Sequence, residues 1–250
     1  MIRLDVVYSA ATHTWPELRE KVLRAEADGF ATAWVYDHMS GVVISSNRML
    51  ECFSLAGALA SATSTIGIGT LVVNAATRTA GVTVAAAASL QEISGGRFVF
   101  GLGAGAAPGT QWACEHEVLN IALEESLEGR HRRVVEVLDL CHVLWDPHRS
   151  DKWMGFPLPS PPPPILLGVN SVALATIAGA RCDGVNVRLD HPRIGEIFDA
   201  ARRARAESAN AGAPFDISAT TPMNEAALDP DGKAQRRLEE LGGHRLILVS

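Results

Sequence analysis

Asp37 and His38 set a carboxylate beside an imidazole directly after a β-rich run, Ala31 to Tyr36. Histidine is the side chain suited to moving a proton near neutral pH, and the pair could act in catalysis or contact a ligand. The same two residues could equally cap the next element, and residue type with location leaves both readings open. Further along, Gly101-Leu102-Gly103-Ala104-Gly105-Ala106-Ala107 strips a strand end of bulky side chains. A flat or anionic ligand can approach such a backbone and bond to its amides, although a tight barrel turn would use the same glycines. Gly168-Val169-Asn170-Ser171 opens a predicted helix. Exposed amides there can hold a phosphate, or Asn170 or Ser171 can simply cap the first turn.

Other arrangements carry less chemistry. The glycine run can be forced into Gly101-x-Gly103-x-x-Ala106, a degenerate dinucleotide fingerprint, but Glu124 and Glu125 fall in a predicted helix rather than after the next strand. His116-Glu117, His131 and His142 lack metal-ligand spacing, so no metal is expected. Arg130-Arg132-Arg133 and Arg202-Arg203-Arg205 read as solvated helix faces or ion-pair partners. There is no G-x-S-x-G elbow and no P-loop.

The elements that must position these groups follow from the hydrophobic periods. Leu4 to Tyr8 is β-rich, and Thr14-Trp15-Pro16-Glu17 opens a helix that runs to Asp28 and stops at Gly29. A strand over Ala31 to Tyr36, a helix over Met49 to Ala62, a strand over Ile66 to Val73 and an Ala-rich helix over Val82 to Ile93 come next. Arg97 to Leu102 is a buried strand, and apolar spacing predicts one long helix from Glu117 to Leu144. Asp146 to Pro164 holds six of the 13 prolines after Pro147 and reads as a surface loop. Strands at Ile165 to Val169, Gly184 to Leu189, Asp216 to Thr221 and Arg245 to Val249 alternate with helices at Val172 to Cys182, Ile194 to Ala209 and Lys233 to Leu241.

Eight strands alternating with seven helices imply parallel strands and a single closed (β/α)8 TIM barrel spanning residues 1–250. Its reactive groups belong on the loops after the C-terminal strand ends. The last helix of such a barrel is missing after Val249, so the barrel is expected to be shortened, with apolar surface at its seam left open or covered by a partner subunit.

Composition bounds the function classes. With 22 Lys+Arg against 28 Asp+Glu, the 250-residue chain has a formal net charge of -6, which argues against nucleic-acid binding. No apolar run reaches the roughly 20 residues of a membrane span. No cationic and apolar leader precedes the first strand, so a cytoplasmic protein is expected. Cys52, Cys114, Cys141 and Cys182 form no C-x-x-C pair, which fits reduced thiols.

Taken together the motifs resemble the bacterial luciferase-like superfamily of flavin- and deazaflavin-dependent oxidoreductases. The resemblance rests on Ala25-Glu26-Ala27-Asp28-Gly29-Phe30 with Trp34-Val35-Tyr36-Asp37-His38, and on Ile66-Gly67-Ile68-Gly69-Thr70 with Arg78. It continues in Ser94-Gly95-Gly96-Arg97-Phe98-Val99-Phe100-Gly101-Leu102-Gly103-Ala104-Gly105, in Pro164 to Gly168 and in Cys182-Asp183-Gly184. It implies a tricyclic redox cofactor at the C-terminal end of the barrel. In the branch that uses coenzyme F420, Asp37 and His38 would contact cofactor and substrate, with His38 as proton donor or acceptor. A non-prolyl cis peptide near Leu71-Val72 would back the ring, with Asn74 just beyond it; Ala104 and Gly105 would line the ring, and Gly168, Asn170 and Ser171 its polar tail. Sugar-phosphate-oxidising relatives commonly carry a glutamate where this chain has Ala106, so that subgroup's second acid/base is missing.

The expected function is an F420-dependent oxidoreductase moving hydride between deazaflavin and a small organic substrate, in a homodimer. The alternatives are an FMN-dependent monooxygenase on the same barrel and a cofactor-binding paralogue without turnover.

Overall fold

The computed structural model describes residues 2–250. Nine strand segments pair in one parallel sheet: β1 (Arg3–Val7), β2 (Thr32–Val35), β3 (Gly67–Thr70), β4 (Val73–Asn74), β5 (Phe98–Gly103), β6 (Ile165–Gly168), β7 (Gly184–Arg188), β8 (Asp216–Pro222) and β9 (Arg245–Val249). β3 and β4 are two halves of one stave, parted at Leu71-Val72, whose peptide bond is cis. β5 pairs with both halves, through Ile68 opposite Phe98 and Val73 opposite Leu102, and this closes an eight-staved barrel.

Seven helices make the crossovers: α1 (Trp15–Ala27), α2 (Cys52–Ala62), α3 (Ala80–Ile93), α5 (Leu127–Leu144), α6 (Val172–Arg181), α7 (Ile194–Ala206) and α9 (Lys233–Glu240). Two short ones, α4 (Cys114–Val118) and α8 (Glu225–Leu228), sit in loops at the C-terminal end. Strand alternation sorts the core into two layers. Outward residues such as Val6, Val35, Phe100, Leu167 and Leu248 pack under the helices, while Val7, Trp34, Leu71, Leu166 and Ile247 fill the barrel.

The most recognisable motif residues turn out to be joinery. Glu26 at the end of α1 accepts the backbone N–H groups of Ser64, Thr65 and Ile66 at 2.8, 2.6 and 3.0 Å, fixing the loop that enters β3. Burial raises its pKa, but these bonds outweigh that and hold it at about 2. Gly95 and Gly96 turn the chain with φ of 65° and 86°, which L side chains rarely adopt. Arg97 then donates to the carbonyls of Ala60, Thr63 and Ile66, satisfying the open end of α2.

Three expectations are corrected. The long helix from Glu117 to Leu144 is broken: α4 ends at Val118, Asn120 adopts φ 52°, and α5 starts afresh with Ser126 accepting from the Gly129 N–H at 2.9 Å. Apolar periodicity continued across the gap, and capping chemistry overrode it. The seam is not open either. Leu246 and Leu248 of β9 are fully buried, sharing a core cluster with Leu18 of α1 and Leu238 of α9, so helices from elsewhere in the chain cover the strand. Arg205 is buried rather than solvated, donating to the carbonyls of Cys182 and Pro214.

Candidate active site

Loops after β2, β4 and β5 meet at the C-terminal mouth of the barrel. The Asp37 carboxylate receives a two-pronged bond from Arg78, Nη1 to Oδ2 and Nη2 to Oδ1, both at 2.8 Å. Oδ2 also accepts the Asn74 N–H at 2.9 Å, and Arg78 reaches on to Glu51 Oε1 at 2.6 Å. Asp37 is buried and its oxygens are committed, so it ties the β2 loop to the β4 loop. Glu51 in turn caps α2 by accepting from Ser54 N at 2.8 Å.

His38 stands differently. Its side chain is 32% exposed, and Nδ1 lies 3.1 Å from Glu115 Oε1. Among the described residues no group bonds Nε2. Trp112 stacks on the ring with centroids 4.6 Å apart and planes 24° from parallel. Glu115 Oε2 accepts the Met39 N–H at 2.9 Å. Burial raises the Glu115 pKa, but the bonds from His38 and Met39 prevail and hold it below the ordinary carboxylate value. The next residue, His116, is buried with Nε2 3.3 Å from Asn74 Nδ2, while Asn74 Oδ1 accepts from Ala76 N at 2.8 Å. α4 thus grips the β2 loop with one residue and the β4 loop with the following one.

Beneath the rim lies an apolar floor. Leu71, Tyr36, Val72, Val99 and Val249 belong to the cluster that fills the barrel, with Val72 and Tyr36 only half-buried. A Cβ on Gly103 or Gly168 would overlap the Val72 side chain, and one on Gly105, at φ 79°, would overlap Asn74. These glycines therefore make room for the Val72 and Asn74 side chains, which pack directly against their backbone.

The structure brings together Asp37, His38, Leu71, Val72, Asn74, Ala104, Gly105 and Gly168 around this mouth, with Gly168 in register beside Gly103 and Asn186. Asn170 is exposed, and Ser171 caps α6 by accepting from Leu174 N at 3.3 Å. Glu115 and Trp112 were missed by sequence reasoning; their signal was an acid and an aromatic shortly after the glycine run, hidden inside a segment without periodicity. Two recesses, of about 490 and 250 Å3, flank Ile121 beside the mouth and contain neither His38 nor the floor. Among the described residues no group of three His, Cys, Asp or Glu side chains could hold a metal ion, and no helix is long and apolar enough to cross a membrane.

The profile of the luciferase-like monooxygenase family matches residues 1–245. The chain belongs to that family. Among curated luciferase-like relatives it is 30% identical over 178 residues to a 5,10-methylenetetrahydromethanopterin reductase of Methanolobus tindarius, covering 69% of this chain and 50% of that protein. It is 28% identical over 193 residues to an F420-dependent glucose-6-phosphate dehydrogenase of Nakamurella multipartita, covering 73% and 55%. The chain thus spans about half the length of the curated relatives it matches. Its fold superimposes on an F420-dependent secondary alcohol dehydrogenase in complex with an F420-acetone adduct, at a TM-score of 0.83 and 17% identity, over 99% of this chain and 93% of that one.

Proposed function

We propose that this luciferase-like chain is an F420-dependent oxidoreductase in which His38 carries the proton that accompanies hydride transfer. The observation that carries this reading is a half-exposed imidazole with an unbonded Nε2, on the rim of an apolar floor. Such a mouth fits a flat ring that needs apolar backing on one face and room along one edge. When bound, a deazaflavin supplies a two-electron hydride acceptor or donor. Leu71 and Val72 would back the ring, Asn74, Ala104 and Gly105 would line it, and Gly168, Asn170 and Ser171 would meet its polar tail. Asp37 would hold the loop that carries His38, through Arg78, rather than exchange protons itself.

The substrate is proposed to be a small uncharged alcohol or carbonyl compound. Arg78 at the rim is bound by two carboxylates, and Arg188 at the end of β7 is paired with Asp190 at 2.6 Å. Neither is left free for a phosphate group, and Ala106 offers no second acid.

Purified protein titrated with F420 or with FMN, then assayed with isopropanol or acetone under anaerobic conditions, tests this. Binding of F420 and oxygen-independent turnover are expected, with His38→Ala lowering kcat by about 10²- to 10⁴-fold while F420 still binds. Oxygen consumption with FMN would establish the monooxygenase alternative, and binding without turnover the inactive paralogue.

A further inference from the structure

We infer that Glu115 is a positioning residue that holds the hydrogen of neutral His38 on Nδ1, leaving the Nε2 lone pair turned to the substrate. The inference rests on the proposed proton role of His38 only for its catalytic consequence; the tautomer itself follows from Glu115.

An ionised carboxylate can only accept hydrogen bonds. Glu115 is 5% exposed and its pKa is held below the ordinary value, so near neutral pH it faces Nδ1 as an acceptor and Nδ1 must supply the hydrogen. Its other oxygen accepts the N–H of Met39, the residue after His38. One side chain therefore fixes both the ring and the backbone beside it, and Trp112 covers one ring face. With Nδ1 occupied, Nε2 is the basic atom.

In the oxidising direction Nε2 would take the substrate O–H proton as the carbon–oxygen double bond forms, and a bound deazaflavin would supply the acceptor for the C–H electron pair, which leaves as hydride. The resulting imidazolium keeps its Nδ1–H on the Glu115 carboxylate, so the new positive charge arises beside a negative one. In the reducing direction Nε2–H would return the proton to the oxygen, the hydride being the chemistry that the reduced cofactor would supply to the carbon.

Glu115→Gln separates this role from a merely structural latch. The Met39 N–H requires an acceptor, so the amide oxygen of the glutamine turns to it and the amide NH2 faces His38 Nδ1. That NH2 can only donate, which forces the hydrogen of the neutral ring onto Nε2. The expected results are a wild-type His38 with hydrogen on Nδ1 and a Glu115→Gln His38 with hydrogen on Nε2, read by 15N NMR of the cofactor-free protein. With F420 and isopropanol, kcat is expected to fall about 10²-fold or more with KM little changed, because a wrong tautomer removes the base without disturbing binding. Glu115→Asp, which keeps the acceptor, should return the Nδ1–H tautomer and part of the rate. If Glu115→Gln fails to fold, the wild-type and Glu115→Asp tautomers decide. Hydrogen on Nε2 in the wild type, or a Glu115→Gln protein with unchanged tautomer and kcat, overturns the proposal. An active His38→Ala enzyme with the NMR result intact would refute the proton role alone.

Discussion

Each end of the barrel carries an arginine between two carboxylates, and the two clusters behave differently. At the N-terminal end Arg245 bonds Asp5 at 2.6 Å and Asp216 at 2.8 Å, with Thr32 and the Trp34 indole completing the group. At the C-terminal end Arg78 bonds Asp37 and Glu51. Asp5 is fully buried, one of its oxygens has no partner, and desolvation raises its pKa to about 6 despite Arg245 and Trp34. Glu51 and Glu115 also feel burial, but backbone N–H donors at Ser54 and Met39 help hold both below the ordinary value. What separates the ends is not the arginine but the number of donors each carboxylate finds, because a buried oxygen without a donor favours the protonated form. The lower cluster closes the barrel, whereas the upper one holds the loops around His38.

Removing the arginine at each end should break this symmetry. Arg245→Met leaves Asp5 and Asp216 facing an apolar side chain and is expected to cost about 3–5 kcal/mol of stability, measured by urea denaturation, with kcat per folded molecule unchanged. Arg78→Lys keeps the charge but cannot grip Asp37 with two prongs and still reach Glu51. It should cost about 1–2 kcal/mol in stability but about 10- to 100-fold in kcat, because the loop bearing His38 shifts. Equal stability losses at both ends, or no activity loss in Arg78→Lys, would remove the distinction.

The smallest effect is one of pH. For Asp5 the folded pKa of about 6 lies above the ordinary value of 3.8, so ionising it opposes folding: its contribution to stability is greatest below 3.8 and declines as pH rises toward 6. For Glu51 and Glu115 the folded pKa lies below 4.5, so their contribution is present above that value and is lost as pH falls through it. Denaturation of Asp5→Asn between pH 4 and 7 should lack the decline that Asp5 gives the wild type. A wild-type curve with the same slope would show that Asp5 does not titrate in this range.

Much of this was readable before any coordinates. Alternating apolar runs located the strands of all eight staves, and the glycines at 95, 96 and 105 marked turns that only a residue without Cβ makes cheaply. Asp37 and His38 were found together, but their roles were not separable. That needed Arg78, 41 residues beyond Asp37, and Glu115, 77 residues beyond His38. The break after Val118 was missed because hydrophobic spacing does not register a local cap, and the open seam was wrong because covering helices need not follow the strand they cover.

By itself the sequence determined the order of elements, the closed parallel barrel and the end at which chemistry belongs, because periodicity and crossover handedness are local rules repeated along the chain. Only the tertiary structure decided which carboxylate anchors, which one orients the imidazole, and which ring nitrogen is left open. Those outcomes depend on burial and on hydrogen-bond partners brought together from distant loops, and neither is encoded in the spacing of neighbouring residues.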